Sequence, residues 1–213
     1  MNSSLNPSPD SSLLVPFYEH PADRPEAWDA LLAAAPSLYG VVLNPASGAG
    51  GAPDPAFGDV AERLRAAGVR VLGYADTDYG RRPHHEVVAD LVRHRDWYGA
   101  DGAFLDQVPT APGALPHYRR LAVSARAAGA RTLVLNHGAH PAPGYEALAD
   151  LLVTFEGPWD AYRNLDLPVA DHYCHLVYAA PSDARPATPV HCAVPGTGAH
   201  PWGTLPHTLE PVR

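Results

Sequence analysis

The stretch "GADGAFLDQVP" (residues 99–109) decides the fold. Its apolar centre, Ala103 to Leu105, contains no polar residue and stops at the carboxylate of Asp106. An uninterrupted apolar strand is typical of a parallel sheet that is covered on both faces. Similar short runs recur along the chain, each closing on or next to a polar residue: YGVVLN (39–44), VLGYAD (71–76), GAFLDQ (102–107), TLVLN (132–136) and LLVTFE (151–156).

Segments with helical periodicity lie between these runs. Residues 54–67 begin with Asp54 as the N-cap and Pro55 in the first turn, and Gly68 follows as a C-terminal stop. Three other helices are predicted in the same way, at 24–36, 84–97 and 113–128. Strand and helix therefore alternate about every 30 residues, which is typical of parallel βα units.

The remaining apolar runs predict the architecture. Strands at 13–18, 175–180 and 190–195 bring the number to eight, which predicts an α/β fold, a compact (β/α)8 TIM barrel with short or missing late helices. An open doubly wound sheet is the alternative. The first strand, however, is followed by a segment without glycine, so the phosphate-binding turn of that fold is missing.

Length and composition predict one globular domain, at residues 13–213. The chain has 213 residues, of which 46% are hydrophobic and 18% charged. The N-terminal stretch MNSSLNPSPDSS (1–12) is predicted to be a disordered lead-in. It has neither the basic nor the apolar region of a signal peptide, so the chain as it stands is expected to be cytoplasmic, or secreted if a leader has been removed.

The charge pattern argues against two classes of partner. The net charge is −8, the fifteen basic residues are all arginine, and they form no basic run, which argues against nucleic acid or an anionic membrane surface. No apolar run approaches the roughly 18 residues of a membrane span. The twelve histidines form no metal-binding motif, so we predict no metal and no cofactor. For Cys174 and Cys192, two buried thiols are favoured over a disulfide.

The polar residues at the strand ends predict a functional site. In a (β/α)8 barrel the C-terminal ends of the strands form the mouth, where catalytic residues lie. Five polar ends meet there: Asn44, Asp76, Asp106, Asn136 and Glu156. Asp106 and Glu156 can flank a bond, and two carboxylates across a pocket are the minimum equipment for glycoside hydrolysis. For any single strand end, capping of the following turn is the alternative interpretation.

Aromatic side chains near the mouth fit a sugar ligand, because aromatic rings stack on the apolar faces of sugar rings. The candidates lie at strand ends or in loops: Tyr18, Tyr74, Tyr79, Trp159 and Trp202. Ordinary core packing is the alternative for each of them. Arg81 and Arg82, just beyond the third strand, could bind the ligand or pair with the acids of the rim.

Together these stretches resemble the spherulin-4-like family, which includes fungal glycoside hydrolases that act on galactosaminogalactan. The matching stretches, in order, are VPFYEHP, GVVLNPASGAG, VLGYADTDYGRRP, DGAFLDQVP, LVLNHGAHP and VTFEGP, with a weaker match in PWGTLP (201–206). The resemblance implies a (β/α)8 fold and an endo-acting, α-N-acetylgalactosaminidase-like hydrolase of an oligo- or polysaccharide. Catalysis would fall to Asp106 and Glu156. Substrate binding would fall to Tyr18, Asn44, Tyr74, Asp76, Tyr79, Gln107, Asn136 and Trp159.

The chain departs from the family at two strand ends. The fourth-strand motif is typically Asp-Glu, and here it is Asp106-Gln107. The third-strand end is often histidine, and here it is Asp76. Because side chains alternate along a strand, Gln107 points away from the axis or into the loop. We therefore predict Asp106 and Glu156 as the working pair, with Gln107 as a hydrogen-bonding support.

Two other functions stay open. The chain could be a non-catalytic carbohydrate-binding barrel that has lost the second acid of its fourth-strand motif. It could also be an enzyme acting on a small molecule, since barrels of this kind host many reactions.

Overall fold

The computed structural model describes residues 12–209. The lead-in predicted for residues 1–12 lies outside the described part, except for Ser12, which opens the first strand. The eight strands are β1 (Ser12–Pro16), β2 (Leu38–Leu43), β3 (Val71–Asp76), β4 (Gly102–Asp106), β5 (Thr132–Asn136), β6 (Leu151–Pro158), β7 (Tyr173–Tyr178) and β8 (Val190–Ala193).

The sheet is a closed parallel barrel. Each strand pairs with the next one in sequence, and β8 pairs with β1 to complete the ring. The predicted (β/α)8 fold is confirmed, and the open doubly wound alternative is wrong. Because all strands run in one direction, their carboxyl ends meet at a single mouth.

The helices follow the predicted order and become short or absent towards the C-terminus. Four of them cover the first half: α1 (Pro25–Ala33), α2 (Pro55–Ala66), α3 (His84–Tyr98) and α4 (Leu115–Ala127). The Asp54 side chain accepts a hydrogen bond from the Ala56 amide, which is the predicted N-cap of α2. After β6 comes the single turn α5 (Trp159–Tyr162), and between β7 and β8 the described chain contains no helix. None of the helices in residues 12–209 is long and apolar enough to cross a bilayer.

Several strands differ from their predicted bounds, including β8, which ends at Ala193 rather than at residue 195, and for β1 and β7 the reason is visible at the mouth. β1 stops at Pro16 rather than at Tyr18, since the Tyr18 amide bonds to the Trp202 carbonyl instead of to β2. β7 covers 173–178 rather than 175–180, because Ala179 takes a left-handed backbone conformation and donates to the Gly196 carbonyl. Both changes tie the barrel rim to the segment that follows β8.

The interior of the barrel is packed beneath the mouth. Phe104, Val134 and Thr154 lie two residues before Asp106, Asn136 and Glu156 on the same strands, and all three are at most 1% exposed. A second apolar cluster joins the outer faces of β3 to β6 with α3 and α4. The polar strand ends therefore sit on a floor of buried side chains and face one opening.

Candidate active site

Three polar strand ends meet at the side chain of Asn136. Its Nδ2 donates to Asp106 Oδ1 at 2.7 Å and to Glu156 Oε2 at 2.6 Å. Its Oδ1 accepts from the Gly138 amide at 3.1 Å, so the NH₂ group must face the two acids. The two carboxylate oxygens can be no farther apart than these two distances together, about 5.3 Å.

The second oxygen of Asp106 is held by Tyr74. The Tyr74 hydroxyl donates to Asp106 Oδ2 at 2.7 Å, while the Tyr74 ring stacks on Phe104 with centroids 6.2 Å apart. Tyr18 meets the Tyr74 ring edge-on at 5.8 Å. Both predicted aromatic residues therefore border the carboxylate pair, and Asp106 has a donor on each of its oxygens.

The second oxygen of Glu156 is held by a residue from the end of the chain. The Trp202 indole N–H donates to Glu156 Oε1 at 3.1 Å, and its ring meets Tyr178 edge-on. The sequence marked Trp202 as an aromatic residue of the mouth but not as a partner of Glu156. That contact joins residues 46 positions apart, and no sequence periodicity reports it.

Burial raises the pKa of both carboxyl groups. For Asp106 the largest cause is loss of hydration, and donors from Tyr74, from the backbone at Gln107 and from Asn136 oppose it. For Glu156 loss of hydration again comes first, and the donors Asn136 and Trp202 oppose it, but the charge of Asp106 raises the pKa further. The charge of Asp76 likewise raises the pKa of Asp106, so each acid has a carboxylate neighbour, and Asp106 has one opposing donor more than Glu156.

Stability should depend on pH through this pair. The folded-state pKa of Asp106 lies above its unfolded value of about 3.9, so the native state holds the proton longer than the unfolded chain. The contribution of Asp106 to the free energy of unfolding is therefore fully present below the unfolded-state pKa, and it is lost as the pH rises through the folded-state pKa. We expect Asp106→Asn to have a higher free energy of unfolding than the wild type at pH 7, with the gap narrowing towards pH 4. Urea unfolding at both pH values measures it, and a gap that widens in acid would contradict it.

Two of the predicted strand-end residues serve their own loops. Asn44 Oδ1 accepts from the Gly48 amide at 2.9 Å, and Asp76 Oδ1 accepts from the Asp78 amide at 2.7 Å. Capping of the following turn, the alternative interpretation, therefore describes both contacts. Asp76 also pairs in register with Asp106, and its charge raises the pKa of that residue.

Gln107 supports the mouth through its backbone. It has a left-handed conformation, with φ 54°, and its carbonyl accepts from the Tyr79 amide and the Thr77 hydroxyl. Its side-chain amide makes no hydrogen bond with the described residues. The loops after β3 and β4 are thereby tied together, and Thr77, fully buried, also bonds to the Asp106 carbonyl.

The two remaining predicted aromatics differ in setting. Tyr79 is 55% exposed and has a left-handed φ of 53°, with the Arg81 guanidinium 5.8 Å from its ring centroid. Arg81 itself pairs with Asp78 rather than with the acids of the pocket. Trp159 stacks on Tyr162 at 5.6 Å, within a cluster on the outer side of β6, so this structure does not bring it into contact with the carboxylates.

Neither cysteine takes part in a disulfide. Cys174 and Cys192 are free and buried on neighbouring strands, as the composition favoured. Burial raises the pKa of both thiols, which keeps them protonated at neutral pH. Within residues 12–209 no three His, Cys, Asp or Glu side chains are grouped so that they could hold a metal ion.

Comparisons with known proteins identify a family and a fold. The model of Spherulin4, the spherulation-specific family 4, matches residues 12–200. Spherulin-4 of Physarum polycephalum is 34% identical over 178 residues, which are 81% of this chain and 51% of that protein. The chain thus spans about half the length of the curated relative it matches.

Solved structures support the same architecture. Sph3 of Aspergillus clavatus, crystallised in complex with GalNAc, superposes with a TM-score of 0.80 at 22% identity, over 93% of this chain and 94% of that one. A chitinase of Chromobacterium violaceum superposes with a TM-score of 0.50 at 16% identity, over 79% of this chain and 68% of the chitinase. At these identities the likeness establishes the barrel fold.

Proposed function

This chain belongs to the Spherulin4 family, and on that premise we propose that it is a glycoside hydrolase that cleaves an α-linked, amino-sugar-containing polysaccharide within the chain. The catalytic groups are the carboxylates of Asp106 and Glu156. One observation carries the proposal: a single buried amide, that of Asn136, donates to both acids at once. A pair of acids held side by side in a pocket with aromatic walls suits acid-assisted cleavage of a glycosidic bond.

The two acids have different roles in the proposal. Glu156, in its protonated form, gives its proton to the leaving oxygen of the scissile bond. Asp106, in its ionised form, attacks the anomeric carbon as that bond breaks, which gives a glycosyl ester. Glu156 then takes a proton from water, and the resulting hydroxide displaces Asp106. The difference in donors supports this order, since three donors oppose the rise in the pKa of Asp106 and two oppose that of Glu156, while each acid faces one neighbouring carboxylate.

The separation of the acids favours retention of anomeric configuration. Retaining enzymes hold their carboxyl groups about 5 to 5.5 Å apart, and inverting ones about 6.5 to 9.5 Å apart to admit a water molecule. Asp106 Oδ1 and Glu156 Oε2, which share the Asn136 donor, are at most about 5.3 Å apart, and this closeness of two facing oxygens supports the shorter of the two arrangements.

The substrate class rests on the relatives and on the aromatic wall. Sph3 was crystallised with GalNAc, and the stretches that resemble the family point to galactosamine-containing polymers. Tyr18 and Tyr74 border the acids and can pack against a sugar ring, while the exposed Tyr79 can contact a unit farther along the chain. The proposed binding surface also includes Gln107, Asp76 and Asn44. Trp159 would have to contact a sugar unit farther from the two acids.

The alternative is a carbohydrate-binding barrel without catalysis. The observation that favours it is Gln107, which stands where the family usually has a second acid. The hydrolase and the binding barrel predict different results in one assay. Wild-type protein is incubated with galactosamine-rich, glucosamine-rich and neutral polymers, and both retention on the polymer and release of reducing ends are measured. Release of short oligosaccharides from a galactosamine-rich polymer supports the hydrolase, and binding without release supports the alternative.

A further inference from the structure

The segment that follows β8 packs against the rim of the barrel mouth. We call residues 196–205 the C-terminal strap. At its centre Pro201, Trp202 and Gly203 form one turn of 3₁₀ helix, and all three are buried. The strap is part of the rim, because the Trp202 carbonyl accepts from the Tyr18 amide at 3.0 Å.

Several contacts fix the strap against the rest of the barrel. Inside it, the Thr204 hydroxyl accepts from the Gly196 amide and donates to the Pro201 carbonyl, each at 3.0 Å. A Cβ atom on Gly203 would lie 2.5 Å from Glu19 Oε1, so a larger residue there would have to displace the Glu19 side chain. The position of the Trp202 ring is therefore determined by the strap as a whole.

The indole of Trp202 is suited to hold a carboxylate. An indole N–H can only donate, so it favours the ionised form of the group it contacts. Here it faces Glu156 Oε1, and Asn136 faces the other oxygen. Trp202 is 7% exposed, so little water competes for the contact.

We propose that Trp202 is a positioning residue that fixes the orientation of Glu156 and sets the pH at which Glu156 gives up its proton. The inference rests on the proposed function, since that pH decides whether Glu156 can act as the acid. It goes beyond the pair of carboxylates by making the C-terminal strap part of the active site.

The other titratable groups near Glu156 are either neutral or paired, so the Trp202 contact can be tested separately from them. Burial raises the pKa of Tyr18, Tyr74 and Cys174, so these three stay neutral at neutral pH. Asp106 is the acid that faces Glu156 directly, and on the strap His200 pairs with Glu19 at 3.2 Å. Asp106 and the His200–Glu19 pair must therefore be unchanged in any variant that tests Trp202.

The test is a titration of Glu156 that does not require hydrolysis. Full-length protein is labelled with ¹³C at the glutamate side-chain carboxyl, and the Glu156 signal is assigned by its loss in Glu156→Gln. Trp202→Phe keeps a ring in place and removes the N–H. We expect its Glu156 midpoint to lie about one pH unit above that of the wild type, because a donor to a charged group is lost. Trp28→Phe is the matched control: its indole N–H donates to the Glu19 carbonyl and contacts neither acid, so the Glu156 midpoint should not move.

Each outcome decides the proposal. An unchanged or lower midpoint in folded Trp202→Phe overturns it, and so does an equal shift in Trp28→Phe. If Trp202→Phe does not fold, Thr204→Val loosens the strap with the indole retained, and it should raise the midpoint by a smaller amount; no rise overturns the proposal. In a hydrolysis assay the alkaline limb of kcat/KM should shift the same way. Because the titration is read without substrate, failure of the proposed function and failure of this inference are distinguishable.

Discussion

Asp106→Asn and Glu156→Gln are each expected to lower the rate of polysaccharide hydrolysis by about 10²- to 10⁴-fold, with the fold retained. Asp106→Asn removes the attacking oxygen of the ester, and the amide of Glu156→Gln cannot donate the proton to the leaving group. Both changes keep the shape of the side chain. Initial rates of reducing-end release, measured beside circular dichroism and thermal unfolding, give the comparison.

A matched control separates loss of chemistry from loss of charge. Asp78 lies in the loop after β3 and pairs with Arg81, so Asp78→Asn also removes one carboxylate near the mouth without touching the pair. Its hydrolysis rate should stay within a few-fold of the wild type. Full activity in both Asp106→Asn and Glu156→Gln would rule out the assigned roles, and an equal loss in Asp78→Asn would show that the mouth needs negative charge rather than these two groups.

Asn136→Ala is expected to lower kcat by about 10²-fold, the cost of misplacing catalytic groups by about 1 Å. Without the amide, Asp106 Oδ1 and Glu156 Oε2 lose their common donor, and two buried acids are left to repel each other. The pKa of each should rise, so activity at high pH should persist in the variant beyond the wild-type limit. The pH dependence of kcat measures both effects.

Asn44→Ala provides the control for that variant. Asn44 follows β2 as Asn136 ends β5, and both side chains accept from an amide of the following loop, but Asn44 bonds to neither acid. Because Asn44 lies in the proposed binding surface, we expect Asn44→Ala to lower stability and to change KM more than kcat. If the two alanine variants lost the same activity with the same pH dependence, Asn136 would be a loop cap and not the link between the acids.

The fold and the three central residues of the site could be predicted from the apolar runs and from the alternation of side chains along each strand. Each apolar run that closed on a polar residue put that residue at the mouth, and Asp106, Asn136 and Glu156 do meet there. This prediction is possible because parallel strands of a barrel end at one level, whatever lies between them. Tyr74, two residues before Asp76 on β3, could be placed by the same rule, whereas Tyr18 lies beyond the end of β1.

Other positions depended on contacts that a strand pattern does not contain. Asn44, Asp76 and Asn136 all accept from a backbone amide of the loop that follows, but only Asn136 also bonds to Asp106 and Glu156. Trp159 was expected at the mouth, and the one-turn helix α5 stacks it on Tyr162 instead. Trp202 reaches Glu156 only because a segment after the last strand folds back across the rim.

In the proposed reaction, Asp106 and Glu156 cleave a glycosidic bond with water. The most direct measurement is mass spectrometry of the products that wild-type protein and Asp106→Asn release from a galactosamine-rich polymer in water enriched in oxygen-18. We expect oligosaccharides from the wild type, each with one heavy oxygen at its new reducing end, and almost none from the variant. Products without the heavy oxygen, or equal products from both proteins, would contradict it.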